Sequence, residues 1–402
     1  MPGTAVNRPA PTPAPAAPVA PTADAPDEFS DDPSVYESYY EQEDVGDRPC
    51  SACGGTLVFD IPTQGLKCTH CGNAEEIVHA AGAAVEEQAI KRAMAAAHGM
   101  GDRLAHYEGE KEIICQNCGG HTTFTGTFTS TRCPYCATPL QRTDVHEAPD
   151  RLAVDGVLPF QVSDDQAKEI LEKWINGRWF APNEFKKYSS HGSFSSVYAA
   201  YFTFDAEATT DYKGQRGTNH TRTVGHGDNK RTVTEIRWRP ASGRVFNAFD
   251  DITVQGNTGL EKRFIEKLEP WPTTNALQPF SLDYLAGHVS RTYDRNIEEC
   301  FVEAQDKMQP QIDSSIRRDI GGDHQRINSK KTYLASVTYK HVLLPVWLLT
   351  VIYDNQPWQV FINGATGEIH GERPWSKVKI IATVIAVLIV IGIILAIRAA
   401  AG

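Results

Sequence analysis

Two stretches of the sequence share one cysteine pattern, and eight of the nine cysteines belong to it. Residues 50–71 read CSACGGTLVFDIPTQGLKCTHC, and residues 115–136 read CQNCGGHTTFTGTFTSTRCPYC. In each stretch two Cys-x-x-Cys pairs stand 14 residues apart, and the second stretch follows the first at an offset of 65 residues. The equal spacing indicates duplication of one small module.

Each stretch has the chemistry of a closed zinc site. Cysteines two residues apart aim both thiolates at one point, and a second such pair across a hairpin completes a tetrahedral Cys₄ site. Glycines after Cys53, Cys71 and Cys118 suit the tight turns of such knuckles. The predicted ligands of two structural Zn²⁺ ions are Cys50, Cys53, Cys68, Cys71, Cys115, Cys118, Cys133 and Cys136.

Other uses of these cysteines fit the pattern less well. Disulfides need an oxidising compartment, whereas the membrane topology predicted below keeps the cysteines in a reducing one. Redox chemistry of the thioredoxin kind is disfavoured because all four pairs are matched. Four sulfur ligands leave no open coordination position, so the sites are expected to be structural. His70 and His121 are expected at the surface and not as ligands.

Composition divides the rest of the chain. Residues 1–26 hold eight prolines, and residues 1–48 hold ten acidic residues against two arginines, which predicts a disordered tail, Pro-rich and then acidic. Alanine-rich residues 85–106 predict a helix interrupted by two glycines. The predicted divisions are the tail (1–48), zinc ribbon 1 (49–79), a helical linker (80–111), zinc ribbon 2 (112–145), an α+β domain (150–373) and a transmembrane helix (378–398).

Two helices are predicted in residues 150–372. Ser163 and Gln166 form a capping-box pattern, and Gly177 marks the end of the helix that follows. The second helix is amphipathic and is expected to bend near Pro310. Its apolar face recurs every three or four residues, at Ile297, Phe301, Ala304, Met308, Ile312, Ile316 and Ile320.

Alternating and aromatic-rich segments predict strands in the same region. Residues 197–210 alternate, and residues 235–239 and 244–254 flank an Ala-Ser-Gly segment that predicts a hairpin turn. Strands expected to close the domain are 341–353, 358–363 and 368–371. The predicted fold class is two small metal-bound β ribbons, an α+β domain and one C-terminal transmembrane helix.

Residues 380–397 form an apolar run of 18 residues without a charge. At about 1.5 Å per residue the run spans about 27 Å, close to the hydrocarbon thickness of a bilayer. It has no polar face, which argues against a buried core helix. Arg373, Lys377 and Lys379 precede it and Arg398 alone follows it, so the positive-inside rule predicts a single-pass cell-membrane protein with a cytoplasmic body.

Isolated reactive groups elsewhere form no recognisable active site. Cys300 lies on the apolar helix and is expected to be a buried small hydrophobe. His220 and His226 flank a glycine-rich stretch, which indicates a loop. Asp250 and Asp251 are neighbours on a predicted strand and should face opposite ways. The sequence has no Gly-x-x-x-x-Gly-Lys-Ser/Thr, Gly-x-Ser-x-Gly or His-Glu-x-x-His motif, so no catalytic residue is predicted.

Charge disfavours nucleic acid as a partner. Residues 49–149 hold 11 acidic and 7 basic residues, a net charge of −4. Two Zn(Cys)₄ centres would add about −2 each, for about −8 in total. A surface of this sign repels phosphate. Arg237, Trp238 and Arg239 could stack on bases, although an exposed strand edge explains the same residues.

Later motifs add to the paired ribbons. Residues 284–287 read Tyr-Leu-Ala-Gly, 343–347 Leu-Leu-Pro-Val-Trp, 363–367 Asn-Gly-Ala-Thr-Gly, and 371–374 Gly-Glu-Arg-Pro. From Cys50 to the C-terminal helix, this combination resembles the YdjG-type bacterial membrane proteins, often labelled TFIIB-type zinc ribbon or primosomal protein N′-like. The resemblance implies an anchor or adaptor near envelope-stress proteins of the phage-shock and SPFH kinds. The Pro-rich acidic N-terminus departs from it.

Three functions stay open on the sequence. The first, which we expect, is a non-enzymatic, tail-anchored adaptor that contacts protein partners through the ribbon tips, residues 59–66 and 124–131. The second is a nucleic-acid-binding, helicase-associated protein, although a helicase motor needs a phosphate loop that the sequence lacks. The third is an enzyme of unnamed chemistry in residues 150–372.

Overall fold

The structure is a computed structural model that describes residues 49–79, 83–98, 104–105, 110–116, 121–125, 133, 145–147, 151–182, 192–226, 230–353 and 356–401. The tail predicted over residues 1–48 lies outside them. The strands are β1 (Leu57–Asp60), β2 (Gly65–Cys68), β3 (Ala74–Glu75), β4 (Gln88–Ala89), β5 (Leu104–Ala105), β6 (Glu110–Ile114), β7 (His121–Thr125), β8 (Val145–Glu147), β9 (Arg151–Leu152), β10 (Gly156–Val157), β11 (Gly192–Val224), β12 (Arg231–Gln255), β13 (Gln278–Pro279), β14 (Val289–Arg291), β15 (His324–Tyr353), β16 (Gln356–Asn363) and β17 (Ile369–Gly371). The helices are α1 (Ile90–Ala97), α2 (Asp164–Asn176), α3 (Lys262–Ile265), α4 (Thr273–Ala276), α5 (Ile297–Ile320) and α6 (Lys377–Ala401), with 3₁₀ turns at Glu266–Leu268 and Leu282–Leu285.

A small antiparallel sheet of β1, β2 and β3 contains the first predicted ribbon. Leu57 of β1 lies opposite Cys68 of β2, and the chain reverses between these strands. Cys50, Leu57, Leu66 and Cys68 form a small buried cluster within it. A core of this size does not stabilise a hairpin in water, so the hairpin depends on further contacts.

Three long antiparallel strands form the centre of the large sheet. β11 pairs with β12 on one side and with β15 on the other. The sheet order is β13-β10-β15-β11-β14-β7-β6-β8, with β16 beside β15 and β17 beside β16. The strands predicted over 197–210, 341–353 and 358–363 are present. The first two are longer than predicted because pairing with neighbouring strands continues through polar segments that show no clear alternation.

The hairpin predicted around residues 241–243 is wrong. β12 runs unbroken through the Ala-Ser-Gly segment, and Gly243 lies opposite Tyr212 of β11. A Cβ atom on Gly243 would lie 2.9 Å from Tyr212 Oη and 2.6 Å from Asp319 Oδ2 of α5. This glycine therefore permits close packing of β12 against α5. The chain reverses between the outer ends of β11 and β12, and not at the Ala-Ser-Gly segment.

Helix α5 packs along β12 and β11. Its buried residues are Ile297, Cys300, Ala304, Met308, Ile312, Ile316 and Ile320. The predicted apolar face is confirmed except at one position: Cys300 is buried in place of Phe301, which is only partly buried. Pro310 lies inside the helix, which continues past it to Ile320.

Helix α2 begins and ends where the sequence predicts. Gln166 N donates to Ser163 Oγ at 3.4 Å, and Ser163 N donates to Gln166 Oε1 at 2.9 Å, which completes the capping box. Gly177 follows the last helical residue. The inner face of α2 packs in the same core as Phe160 and Tyr198, through Ala167, Leu171 and Ile175.

The predicted linker is helical only in part. Helix α1 is shorter than the segment 85–106 that composition predicts, and β4 and β5 are extended. Gln88 of β4 lies opposite Tyr339 of β15, so the residues before α1 add a short strand to the large sheet. Tertiary pairing thus overrides helix propensity here.

Strands of the second predicted ribbon join the large sheet. β6 pairs with β7 and β8, and Thr123 of β7 lies opposite Ser290 of β14. Cys115 and Cys133 are buried in one cluster with Val197 of β11. These contacts make this segment continuous with the α+β region.

The last helix, α6, is apolar on every side. Residues 377–398 are long and apolar enough to cross a membrane, and none of their apolar window is buried against the body. A core helix would be buried, so that alternative does not hold for α6. The described architecture is therefore sheet-rich, with one apolar C-terminal helix and a cysteine cluster.

Candidate metal centre

Two tight turns at the base of the first hairpin position the four cysteines. Gly54 N donates to Cys50 O at 2.8 Å, and Gly72 N donates to Cys68 O at 3.1 Å. Gly54 and Gly72 have φ angles of 72° and 75°, a left-handed conformation that glycine adopts without steric cost. The two turns are equivalent, as expected if each cysteine pair forms one zinc knuckle.

The sulfur atoms of Cys50, Cys53, Cys68 and Cys71 all lie within 4.8 Å of one another. Cys50 Sγ lies 3.7 Å from Cys71 Sγ, and Cys53 Sγ lies 3.5 Å from Cys68 Sγ. A tetrahedral centre with metal–sulfur bonds of about 2.3 Å separates its sulfurs by about 3.8 Å. These four cysteines could therefore hold a metal ion. His70 is exposed and outside the group, as predicted.

The backbone around the cluster favours thiolate at one position. N–H groups of Cys71 and His70 point at Cys68 Sγ and lower the pKa of that thiol to about 6. The Gly55 N–H also favours thiolate at Cys53, but hydrogen bonds with the neighbouring sulfurs prevail and raise its pKa to about 12. Four thiolates at this separation repel one another, so a bound cation is needed for all to be deprotonated together.

Small and polar residues fix the first knuckle. Glu75 Oε1 accepts hydrogen bonds from Ser51 N at 3.1 Å and from Ser51 Oγ at 2.7 Å, which ties the knuckle to β3. A Cβ atom on Gly55 would lie 3.3 Å from both Cys53 Sγ and Cys68 Sγ. Glycine at this position therefore lets the two sulfurs approach each other.

The second predicted site is described only in part. Cys115 and Cys133 are both buried in the same core cluster. Cys118 and Cys136 lie outside the described residues, as does most of the second ribbon tip at 124–131. A second metal site at these cysteines stays a prediction.

The tip of the first hairpin packs against the body, so the partner contact expected at residues 59–66 is wrong for Phe59. Phe59 is only 5% exposed, and its ring centre lies 5.5 Å from that of Tyr284. Gln64 Nε2 donates to Phe160 O at 2.8 Å. The hydrophobic side chain that looked available for a partner completes the protein's own core.

Cys300 and His220, which the sequence left as isolated reactive groups, both lie within regular secondary structure. Cys300 is buried as predicted, and burial raises the pKa of its thiol to about 12, which keeps it protonated and unreactive. His220 lies in β11 opposite Glu235 of β12, so the loop predicted at this residue is wrong. Strand pairing continues through this polar segment despite its poor alternation.

A polar cavity brings together the acidic pair that strand alternation would separate. Asp250 and Asp251 both line a cavity of about 470 Å³. The pairing of β11 with β12 shifts between Phe204 and Ala206, and Asp251 has a φ of 51°. A β-bulge redirects side chains in this way, so the prediction that the pair faces opposite ways is wrong.

Lys340 lies among carboxylates at this cavity. Its side chain is only 9% exposed, and Nζ lies 2.8 Å from Asp251 Oδ1 and 3.6 Å from Asp205 Oδ2. One oxygen from each of Glu87, Asp205 and Asp250 lies within 4.8 Å of the others. The ammonium group offsets part of the carboxylate charge.

Asp205 and Glu87 shift each other's pKa in opposite directions in this cluster. Burial, together with its hydrogen bond to Glu87, raises the pKa of Asp205 to about 6. The same hydrogen bond lowers the pKa of Glu87. The sequence carries no motif for this group, because its members come from four separate segments. The sequence signal that could have revealed this group is the presence of two charged residues, Asp205 and Lys340, inside otherwise apolar strands.

The chain is similar to a bacterial protein over most of its length. It is 26% identical over 336 residues to the uncharacterized protein YdjG of Bacillus subtilis (strain 168). The aligned region covers 83% of this chain and 91% of that protein. No protein-family model matches the sequence. No solved structure matches it either. The expected resemblance to a YdjG-type protein is thereby confirmed, and membership in a zinc-ribbon family stays a prediction.

Proposed function

We propose that this chain is a non-enzymatic, zinc-binding adaptor anchored in a membrane. The closed four-sulfur group at the base of a docked hairpin carries this proposal. A group whose four donors are all sulfur leaves no coordination position for water or substrate, which is typical of structural zinc. The metal would replace the core that so small a hairpin lacks.

Zinc would be held in the first site by Cys50, Cys53, Cys68 and Cys71. When bound, it supplies a crosslink between the two knuckles and neutralises part of the thiolate charge. The repeated spacing supports a second ion at Cys115, Cys118, Cys133 and Cys136. Both ions would stabilise the protein and take no part in a reaction.

Helix α6 supports a single-pass anchor in the cell membrane. Arg373, Lys377 and Lys379 stand before its apolar part and Arg398 stands after it, which favours a cytoplasmic body. A reporter at the N-terminus of the full-length protein should be degraded by protease added to cells opened to expose the cytoplasm. Protection of that reporter would contradict this orientation.

The open face of β11, β12 and β15 supports a surface for a protein partner. Phe246 is 73% exposed and Tyr333 is 49% exposed, and both lie opposite Thr209 in one cross-strand row. Exposed aromatic side chains on paired strands are suitable anchors, because the rigid backbone loses little entropy on binding. Helix α5 covers the other face through residues such as Ile312.

Affinity purification of the full-length protein from detergent-solubilised membranes tests the adaptor proposal. Phe246→Ser and Tyr333→Ser should each lose a partner that the wild type retains. Val302→Ser, an exposed apolar position on α5, should retain it. The resemblance to YdjG-type proteins makes membrane-stress proteins of the SPFH and phage-shock kinds the first partners to examine. Full retention by both aromatic variants contradicts the proposal.

One observation favours a second function, nucleic-acid binding. Beyond Gly217, where β15 begins opposite it, β11 and β12 continue as a two-stranded ribbon of the kind that fits a DNA groove. Trp238 lies beneath the Arg326 guanidinium at 4.0 Å. The cationic residues of this ribbon are Arg222, Arg231 and Arg237, and Lys230 stands just before β12.

A salt titration separates the two functions. The adaptor proposal expects no micromolar binding of full-length protein to duplex DNA at near-physiological salt. Micromolar binding with a steep negative salt dependence, lost in Arg237→Glu/Arg239→Glu, would instead favour nucleic acid. Arg317→Glu/Arg318→Glu, in the last turn of α5, provides the charge-matched control.

A further inference from the structure

Two segments far apart in sequence meet at the beginning of α6. Ser376 N donates to Phe180 O at 2.8 Å, and Lys379 Nζ donates to Ala181 O at 2.8 Å. Ala181 is buried. The loop that follows α2 is therefore fixed to the first turn of α6, although 198 residues separate Ala181 from Lys379.

This junction lies at the bilayer surface if α6 is the anchor proposed above. Each helical residue rises about 1.5 Å, so Ser376 stands within about 6 Å of the first residues of the apolar run at Ile380. Lys379 keeps its ammonium group at a backbone carbonyl of the body and away from the apolar side. The loop at residues 178–181 must then lie at the depth of the lipid headgroups.

Arginine and aromatic side chains stack at the junction. The Arg178 guanidinium lies over the Trp174 ring at 4.8 Å, and the Arg373 guanidinium lies over the Trp375 ring at 4.6 Å. The Phe180 ring centre lies 6.0 Å from that of Trp375. Both stacks hold the cationic groups in place, which reduces the entropy lost when they bind an anion.

The same surface exposes tryptophan to solvent. Trp179 is 71% exposed and Trp375 is 57% exposed. Tryptophan is enriched at membrane–water interfaces because its ring is both apolar and polar. The aromatic–arginine patch is defined by Arg178, Trp179, Phe180, Arg373 and Trp375.

The two arginines of the patch place two positive charges near each other. Burial and the nearby charge of Arg178 lower the pKa of Arg373. Glu372, which precedes Arg373, already forms an ion pair with Arg263. Within the described ranges no carboxylate forms an ion pair with Arg178 or Arg373. An anion placed between the two guanidinium groups would relieve their repulsion.

We propose that the aromatic–arginine patch is a second contact with the bilayer, in which Arg178 and Arg373 bind the phosphate of an anionic phospholipid. The guanidinium fork matches phosphate geometry, and Trp179 and Trp375 enter the headgroup region beside it. This inference rests on the proposed anchoring by α6. Its consequence is a fixed orientation of the body on the membrane, since a second contact removes rotation about the helix axis.

Titration of the full-length protein in dodecyl maltoside tests the patch. The probe is dihexanoyl-phosphatidylglycerol, with dihexanoyl-phosphatidylcholine and glycerol phosphate as comparisons, and intrinsic tryptophan fluorescence reports binding. Arg178→Gln/Arg373→Gln should weaken the phosphatidylglycerol affinity about tenfold or more. Trp179→Ala, at an exposed position that cannot disrupt the core, should weaken it as well.

Arg317→Gln/Arg318→Gln is the matched control, because it removes the same charge from two exposed arginines that lie in the last turn of α5. It should bind phosphatidylglycerol as the wild type does. Wild-type affinity in the Arg178→Gln/Arg373→Gln variant, or equal affinity for glycerol phosphate and the lipid, would overturn the proposal. Alkaline carbonate extraction of cell membranes tests the anchor separately: release of the wild type contradicts the anchor and leaves the patch result standing.

Discussion

Gly54 and Gly72 show how single residues prepare the cysteine cluster. Each adopts a positive φ that closes a tight turn around one cysteine pair. A side chain at either position would strain the turn that positions one cysteine pair. The arrangement of the sulfur atoms thus depends on glycines that carry no donor atom of their own.

Replacing one cysteine of each pattern should remove one metal ion. Three sulfurs hold zinc far less tightly than four, because an incomplete site loses both a bond and its closed geometry. Metal analysis of protein purified without added zinc should give about two ions per chain for the wild type and about one for Cys50→Ser or Cys115→Ser. Cys300→Ser is the control and should retain both. A wild type with one ion or none contradicts the two-site prediction.

Asp205 should make the body less stable as pH rises from about 4 to about 6. Its pKa is raised to about 6, so the folded state holds a proton that the unfolded chain has already released in this range. This contribution is complete below the unfolded pKa and is lost as pH rises through about 6. Thermal unfolding of full-length protein in detergent, followed from pH 4 to 7, measures it.

Asp205→Asn should flatten this part of the stability profile relative to the wild type. Asp211→Asn is the matched control, because Asp211 lies on the same strand but forms an exposed ion pair with Arg244 that lowers its pKa. The control should retain the decrease between pH 4 and 6. An unchanged slope in Asp205→Asn means that another group is responsible.

At the scale of elements, pairing with neighbours decides where strands end. β12 continues through Pro240 and Gly243, residues that interrupt strands in many sequences. It does so because β11 pairs with it along that whole segment. Helix α2, in contrast, is bounded by its own capping residues, and for that reason its limits were predictable.

Removal of helix α6 should release the body from the membrane. None of the membrane-length window of the helix is buried in the body, so its loss leaves the core covered. A chain without residues 378–402 should appear in the soluble fraction after an alkaline wash, whereas a chain without residues 399–402 should stay in the membrane. Retention of the shorter chain after that wash would show that another segment anchors it.

At the scale of the whole molecule, the hairpin that carries the cysteine cluster and the large sheet share a core. Phe59 belongs to the cluster that also contains Phe160 and Tyr198, and His79 Nε2 lies 3.1 Å from Tyr284 Oη. The hairpin therefore contributes to the body's stability, and a metal ion bound by its cysteines would act on the body through these contacts.

Phe59→Ala should destabilise the body by about 3–5 kcal/mol, the usual effect of removing a buried aromatic ring. Denaturant unfolding of full-length protein in detergent, followed by tryptophan fluorescence, measures the change. The tryptophans lie outside the hairpin, so the signal reports the body. Val78→Ala is the control, because this apolar residue of the same segment is exposed. Wild-type stability of Phe59→Ala would mean that the hairpin docks weakly.

The sequence by itself determined the features that depend on local chemistry. Cysteine spacing predicted the convergence of Cys50, Cys53, Cys68 and Cys71, the capping pattern predicted α2, and the charge-free run predicted a membrane-length helix. Each follows from interactions within a few turns of chain or from composition alone, so no knowledge of distant residues was needed.

Only the tertiary structure decided how these parts meet. The docking of Phe59 and the gathering of Glu87, Asp205 and Lys340 depend on residues more than 80 positions apart, and the continuation of β12 depends on its pairing with β11. A one-residue bulge reverses the face of the sheet on which the following side chains lie. Hydrophobic periodicity in the sequence does not show where pairing with a neighbouring strand introduces such a bulge. Non-local pairing therefore assigned the acidic cavity and the aromatic–arginine patch, which no linear motif contains.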